Sequence, residues 1–102
     1  MSVSYFVKDS KCFKKDGGST SQVGKSDAVH VSQGEYDSKD AYAITYKDGK
    51  VFMTIGNSTS EVTSGSKLGT KIVETQFNDN GIILKWDNGK RYFRNRSGGK
   101  EL

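Results

Sequence analysis

The fold is decided by residues 41–55, which have the sequence AYAITYKDGKVFMTI. Large apolar side chains occupy every second position on both sides of Asp48-Gly49, and this is the period of a β-strand. Asp-Gly between two such runs is typical of a two-residue hairpin turn. That turn would pair Tyr46 with Val51, Ile44 with Met53 and Tyr42 with Ile55. The stretch therefore predicts a β-hairpin that buries one common face.

A second set of alternating runs lies toward the C-terminus. Strands are predicted over 71–77, 82–86 and 90–95, joined by Asn78-Asp79-Asn80-Gly81 and by Asn88-Gly89. The first loop sets Glu74 opposite Lys85 and Val73 opposite Trp86. The second loop sets Trp86 opposite Arg91, Leu84 opposite Phe93 and Lys85 opposite Tyr92. Turn chemistry and periodicity agree here, and they predict a three-strand antiparallel meander.

The other segments carry weaker signals. Residues 3–7 and 11–15 resemble strands around a turn at Asp9-Ser10, and 28–32 resembles another strand. The run 17–26 (GGSTSQVGKS) ends like a phosphate-binding P-loop, but five residues instead of four separate Gly18 from Gly24, and strand-like sequence follows. We therefore expect a flexible loop there. Residues 32–35 allow one helical turn at most, and 57–69 leaves room for a short strand around Val62.

These segments predict an all-β fold, a small antiparallel barrel or sandwich built from hairpins and the C-terminal meander. The chain has 102 residues, a length that fits a single domain. We place this domain at residues 1–96 and expect a flexible C-terminal tail at 97–102. The expected core is Tyr42, Ile44, Met53, Ile55, Val73, Phe77, Ile82, Leu84, Trp86 and Phe93.

Composition narrows the class of protein. Hydrophobic residues make up 32% of the chain, below the usual 45–50% or so, but eleven aromatic residues can fill a small core. No apolar run approaches the roughly 18 residues that a membrane-spanning helix needs. The N-terminus lacks a basic segment followed by an apolar one, so we expect a cytoplasmic protein or one whose leader has been removed.

The sequence offers little for catalysis. The chain has one cysteine, Cys12, and one histidine, His30. An intrachain disulfide is therefore impossible, and no spacing of cysteine and histidine residues indicates a zinc site. Cys12 lies among lysines, which would lower the pKa of an exposed thiol, but a half-buried strand cysteine is the commoner case. His30 is expected to be an ordinary strand residue. We expect no enzyme activity, no metal and no cofactor.

Positive charge concentrates at the C-terminal hairpin. The net charge is +4, and all three arginines of the chain fall within 91–96. Strand alternation predicts that Tyr92, Arg94 and Arg96 project from the face opposite Phe93, with Lys85 beside them. The candidate partner-binding residues are Lys85, Lys90, Arg91, Tyr92, Arg94 and Arg96.

A ring among cationic groups suits several partners. It is typical of an interface with an acidic protein, where tyrosine and arginine are common anchors. It also suits single-stranded nucleic acid, through base stacking and phosphate contacts, or an exposed sheet face without a partner. We expect a non-catalytic binding module, acting as an adaptor, inhibitor or structural component on an acidic protein surface. Nucleic-acid binding by a small barrel is the alternative, and self-association through edge strands is a further expectation.

Overall fold

The computed structural model describes residues 3–63 and 67–102, which form eleven β-strands. The strands are β1 (Val3–Lys8), β2 (Lys11–Asp16), β3 (Ser19–Val23), β4 (Ala28–Tyr36), β5 (Lys39–Tyr46), β6 (Val51–Ile55), β7 (Ser58–Val62), β8 (Ile72–Asn78), β9 (Gly81–Trp86), β10 (Arg91–Asn95) and β11 (Gly98–Glu101). The predicted all-β fold is confirmed, whereas the choice between a barrel and a sandwich stays a prediction.

The strands form three antiparallel sheets, each from a consecutive run of the chain. The N-terminal sheet has the order β1-β2-β3, the central sheet β4-β5-β6-β7, and the C-terminal sheet β11-β10-β9-β8. Within every sheet, each strand pairs with the strand that follows it in sequence. Short hairpin connections therefore account for all of the hydrogen-bonded pairing among the described residues.

The central sheet has apolar side chains packed on both of its faces. The main core, between the central and C-terminal sheets, consists of Ala43, Val51, Met53, Val62, Ile72, Ile82, Leu84 and Trp86. The second core, between the N-terminal and central sheets, consists of Cys12, Ala28, Ile44 and Tyr46. Neighbouring residues of β5 serve different cores because side chains alternate along a strand.

The predicted register of the β5–β6 hairpin is wrong by one residue. Ala43 lies opposite Met53, and Ile44 lies opposite Phe52. The loop has three residues instead of two: the Tyr46 amide donates to the Lys50 carbonyl at 2.9 Å, and of the loop residues only Gly49 has a positive φ, +88°. The slip places Ile44 and Met53 on opposite faces, so each enters a different core.

The predicted pairing of β8 with β9 is confirmed near the turn and wrong at its far end. Asp79 and Asn80 both have positive φ, as a two-residue turn requires, and Glu74 lies opposite Lys85. Between Ile72 and Glu74 the register shifts. Ile72 therefore takes the place opposite Trp86 that was predicted for Val73, which is only half-buried.

Three predicted loops or turns are strands in the structure. The expected loop at 17–26 contains β3, the expected helical turn at 32–35 belongs to β4, and the expected tail at 97–102 contains β11. Strand β11 is exposed throughout and β3 almost throughout, so neither carries the alternation that marks a buried strand. A strand does form around Val62 as predicted, while 64–66 lie outside the described residues.

Most of the predicted core is buried. Met53, Ile82, Leu84 and Trp86 lie in the main core and Ile44 in the second core, as expected. Ile55 and Phe77 pack on the main core and Tyr42 on the second, each partly buried. Phe93 differs, since it is half-buried on the face of the C-terminal sheet that points away from the main core.

Strands β4 and β8 bring the central and C-terminal sheets together at their edges. The hydroxyls of Ser32 and Thr75 share a hydrogen bond of 2.6 Å, and the Thr75 amide donates to Nδ1 of His30 at 3.4 Å. Gly34 faces Phe77 so closely that a Cβ at residue 34 would lie 2.6 Å from the Phe77 Cβ. The polar contacts, together with the absence of a Cβ at Gly34, therefore allow β4 and β8 to approach closely.

Candidate binding face

The six predicted site residues lie along β9, β10 and the adjoining turns, but on different faces. Arg91 lies opposite Lys85, and Tyr92 lies opposite the fully buried Leu84. Residues directly opposite each other share a face of the sheet. Lys85 and Arg91 therefore occupy the outer face with Phe93, while Tyr92 points toward the main core. The prediction that Lys85 opposes Tyr92 and shares its face is wrong.

The turn between β9 and β10 explains the slip. The Trp86 amide donates to the Lys90 carbonyl at 2.9 Å, which closes a three-residue loop, and Gly89 has a φ of +87°. The side chain of Asn88 accepts the Lys90 amide at 3.1 Å. Asp48 accepts the Lys50 amide at 3.0 Å in the same way in the β5–β6 loop. One turn geometry therefore shifts both hairpins by one residue.

The inner group, Tyr92, Arg94 and Arg96, contacts the protein itself. Tyr92 packs on the main core, and its ring covers Gly99, where a Cβ would lie 2.5 Å from the phenol oxygen. The Arg94 guanidinium donates to the backbone carbonyl of Thr63. These two side chains tie β10 to its neighbours, so their first role is structural.

Arg96 forms an ion pair at the surface. Its Nη1 lies 3.2 Å from Oδ2 of Asp37, which connects the β10–β11 turn to the β4–β5 turn. The side chain remains 79% exposed, so the pair contributes little to stability. Arg96 can still reach a partner, but only in competition with Asp37.

The outer face of the C-terminal sheet keeps a basic and aromatic character with different members. We call this the C-terminal face, and it consists of Ile83, Lys85, Arg91, Phe93 and Lys100. Lys100 lies directly opposite Phe93, and Ile83 lies opposite Phe93 on the other side. An open depression of about 380 Å³ adjoins Phe93 and Lys100. The predicted site omits Phe93 and Lys100, because the predicted register differs from the observed one by one residue and the predicted tail has no strand partner.

The ring of Phe93 is held in place by the backbone beneath it. A Cβ at residue 81 would lie 2.6 Å from Cζ of Phe93, so the ring packs directly on Gly81. Glu74, opposite Lys85, adds one carboxylate to the same face. The face is thus a fixed ring with cations on two sides and a single acid.

A second basic and aromatic face lies on the N-terminal sheet. Phe6 lies opposite Phe13, and the two rings stack with centroids 5.5 Å apart. Lys8 and Lys11 lie opposite each other on the same face. None of these four residues belongs to the predicted site. Pairing the two alternating runs around Asp9-Ser10 places both phenylalanines on one face.

Cys12 and His30, whose side chains could in principle take part in catalysis, both occupy structural positions. Cys12 is fully buried in the second core, and burial raises the pKa of its thiol to about 11. The expected position in a strand is therefore confirmed, but the side chain is fully buried instead of half-buried, and the exposed, activated alternative is wrong. His30 lies in β4, as expected, and accepts the Thr75 amide.

A polar cleft of about 320 Å³ lies between the N-terminal and central sheets. Tyr5 and Tyr42 stack there with ring centroids 4.1 Å apart, and Lys14 and Asp40 also line it. Burial, followed by the neighbouring Tyr42, raises the pKa of the Tyr5 phenol. Neither of the two potentially catalytic residues lines the cleft, and the described ranges 3–63 and 67–102 contain no cluster of metal-ligating side chains.

Within the part of the chain that the structure describes, no helix is long and apolar enough to cross a membrane. Comparison with models of known protein families and with curated protein sequences finds no match to this chain.

Proposed function

We propose that this protein is a non-catalytic binding module, an adaptor, inhibitor or structural component, whose C-terminal face recognises an acidic protein surface. The observation that carries the proposal is Phe93, a partly exposed ring with Lys100 directly opposite and Arg91 and Lys85 on the same face. Interfaces between proteins commonly combine an apolar anchor at the centre with a polar, solvated rim.

The fixed position of the ring favours tight recognition. Phe93 is already packed on Gly81, so binding would order few side chains and lose little entropy. Arg91 is exposed at the strand end, where its guanidinium can reach a carboxylate in the two-bond geometry that arginine prefers. Glu74 on the same face would repel a continuous phosphate backbone, whereas a protein can place a cation beside it.

Nucleic-acid binding at the same face is the alternative function. Lys85, Arg91 and Lys100 would then contact phosphates, with a base stacked on Phe93. Each phosphate contact on a single strand changes the logarithmic salt slope by about −0.7, so three contacts give a slope of about −2. An acidic protein partner would give a shallower dependence with the loss concentrated in one or two anchors.

Selection from a random peptide library displays the preference without assuming a partner. We expect the wild-type protein to enrich acidic peptides that contain one large apolar residue. Arg91→Glu/Lys100→Glu should weaken their binding by about tenfold or more, because it reverses the charge on both sides of Phe93. The matched control, Lys39→Glu/Lys47→Glu, makes the same change in net charge at exposed lysines elsewhere.

The two variants separate recognition from general attraction. Equal weakening by both would mean that only net charge matters and would contradict the proposal. Failure to enrich acidic peptides, together with steeply salt-dependent oligonucleotide binding that Arg91→Glu/Lys100→Glu abolishes, would favour the alternative.

We further propose a cytoplasmic location and self-association through edge strands. The single cysteine is a buried free thiol, so the fold does not depend on a disulfide that only an oxidising compartment would maintain, which supports the location. Strands β3 and β11 each end a sheet and are exposed, which supports edge pairing. Sedimentation analysis over a range of concentrations tests the second proposal, and a monomer at every concentration would contradict it.

A further inference from the structure

The outer surface of the N-terminal sheet has an unusual composition. The β1–β2 register places Phe6 opposite Phe13, Lys8 opposite Lys11 and Ser4 opposite Lys15. The alternate residues of both strands point inward, where Val7 and Cys12 contribute to the second core. The outward set is therefore fixed by burial of the inward set, because a one-residue slip would expose Cys12. We call Phe6, Lys8, Lys11, Phe13 and Lys15 the N-terminal face.

Two aromatic rings form the centre of this face. Phe6 is 37% exposed, the larger exposure of the two, and its ring stacks on Phe13 with planes 24° apart. Large apolar side chains that stay exposed beside one another offer a partner both apolar area and a ring surface. The stacking already orders the two rings, so a planar group can be added to them at little entropic cost.

The charges on this face have one sign. Lys8, Lys11 and Lys15 are exposed, and strand β3 adds only the neutral Thr20 and Gln22 to the same face. Among the described residues, no carboxylate oxygen lies within 4.0 Å of the Nζ atom of any of these three lysines. Lys8 directly opposite Lys11 is an unfavourable pairing of like charges. An anion bound between them would relieve that repulsion.

We infer that the N-terminal face binds single-stranded nucleic acid, with bases on the Phe6–Phe13 pair and phosphates at the lysines. Aromatic rings accept any base in stacking, and cationic groups beside them follow the backbone. The lysine pair at the turn and Lys15, opposite Ser4, are four residue positions apart along the sheet. At about 3.3 Å per residue this is roughly 13 Å, which leaves the rings between cations on both sides.

Composition favours a nucleic acid over a protein at this face. Interfaces between proteins are enriched in aromatic residues and arginine and depleted in lysine. The N-terminal face shares the aromatic residues, but its cations are three lysines and no arginine. A duplex is disfavoured as well, because its bases are stacked on each other and cannot reach the rings. The inference is independent of the function proposed for the C-terminal face.

Fluorescence anisotropy with a labelled mixed-sequence strand of about 12 nucleotides, as DNA and as RNA, tests the inference. A duplex of the same sequence is measured in parallel, at about 50 mM and about 200 mM salt. We expect binding to the single strands at the lower salt and at least tenfold weaker binding to the duplex.

Two sets of variants separate stacking from charge. Phe6→Leu/Phe13→Leu keeps the apolar character but removes the rings, and should weaken single-strand binding about tenfold or more without changing the salt slope. Lys8→Gln/Lys11→Gln/Lys15→Gln should reduce the salt slope by about 2, at about 0.7 per phosphate contact. Its matched control removes the same net charge at exposed lysines, as Lys39→Gln/Lys47→Gln/Lys67→Gln. If the leucine variant fails to fold, the glutamine variant and its control decide alone.

Several outcomes would overturn the inference. These are no binding to either single strand at about 50 mM salt, equal binding to the duplex, and equal losses in the glutamine variant and its control. Binding that only Arg91→Glu/Lys100→Glu weakens would place the nucleic acid on the C-terminal face. A polyglutamate peptide that binds as tightly as the oligonucleotide, with the same loss in the leucine variant, would assign the face to an acidic protein.

Discussion

Thr45 carries a buried hydroxyl that has no partner in the described parts of the chain, and removing this hydroxyl should stabilise the protein. The residue is fully buried in β5, and its Oγ1 has no hydrogen-bond partner among the described residues. Leaving such a group unsatisfied costs about 1–3 kcal/mol. Valine has nearly the same shape and suits a strand, so Thr45→Val should raise the free energy of unfolding by about 1 kcal/mol, or the melting temperature by about 4–8 °C.

The same substitution at two other strand positions provides controls. Thr75 is also buried, but its hydroxyl shares a 2.6 Å hydrogen bond with Ser32. Thr75→Val should therefore lower the free energy of unfolding by about 1 kcal/mol. The hydroxyl of Thr54 bonds Thr59 at 2.8 Å in exposed surroundings, so Thr54→Val should change stability by less than about 0.5 kcal/mol.

Urea unfolding followed by Trp86 fluorescence measures all three variants against the wild type. The denaturant slope should stay constant, so that the midpoints report stability alone. A loss of stability in Thr45→Val, or equal shifts in all three variants, would refute the assignment of hydrogen-bond status. The order Thr45→Val above Thr54→Val above Thr75→Val is the expected result.

Three further predictions follow from burial and backbone conformation. Trp86 is 3% exposed in the main core, so Trp86→Ala should lower the free energy of unfolding by roughly 3–5 kcal/mol. An unchanged melting midpoint would contradict the placement of Trp86 in the core. Burial raises the pKa of the Cys12 thiol from 9.0 to about 11, so the thiol of the unfolded chain ionises first as the pH rises. The wild type should therefore lose stability relative to Cys12→Ala between pH 9 and about 11. A difference in urea midpoints that stays constant over this range would contradict the prediction. Gly49→Ala should destabilise more than Gly56→Ala, since both have positive φ but a Cβ at residue 49 would lie 2.5 Å from the Lys71 Cβ whereas residue 56 has open space; equal losses in thermal melts would contradict the close approach.

Strand content was predictable from the sequence wherever one face of a strand is buried. The alternation in 41–55 and 82–86 marks strands correctly because the buried positions must be apolar. Periodicity does not reveal strands β3 and β11, because they are edge strands that are exposed except at Val23, their single apolar residue. Their backbones are fixed by pairing with β2 and β10, which composition does not report.

Register was harder to predict than strand content, and the candidate site depended on it. Asp-Gly and Asn-Gly fit a two-residue turn as well as a three-residue loop, and the sequence alone does not distinguish them. Here the side chains of Asp48 and Asn88 accept the amide two residues later and select the longer loop. One residue of slip then exchanges Tyr92 for Phe93 on the outer face.

The consecutive order of strands within each sheet has a kinetic consequence. Every hydrogen-bonded ladder closes a short connection, and chains dominated by such local contacts fold faster than β-proteins with crossed connections. Burial is less local than pairing, since each core lies between two sheets. During synthesis, the N-terminal sheet can therefore form its backbone hydrogen bonds as soon as Val23 has left the ribosome. Its stability stays marginal until the central sheet covers Cys12. Because each sheet needs a neighbouring sheet to bury its apolar face, we expect the three sheets to unfold together in a single cooperative transition.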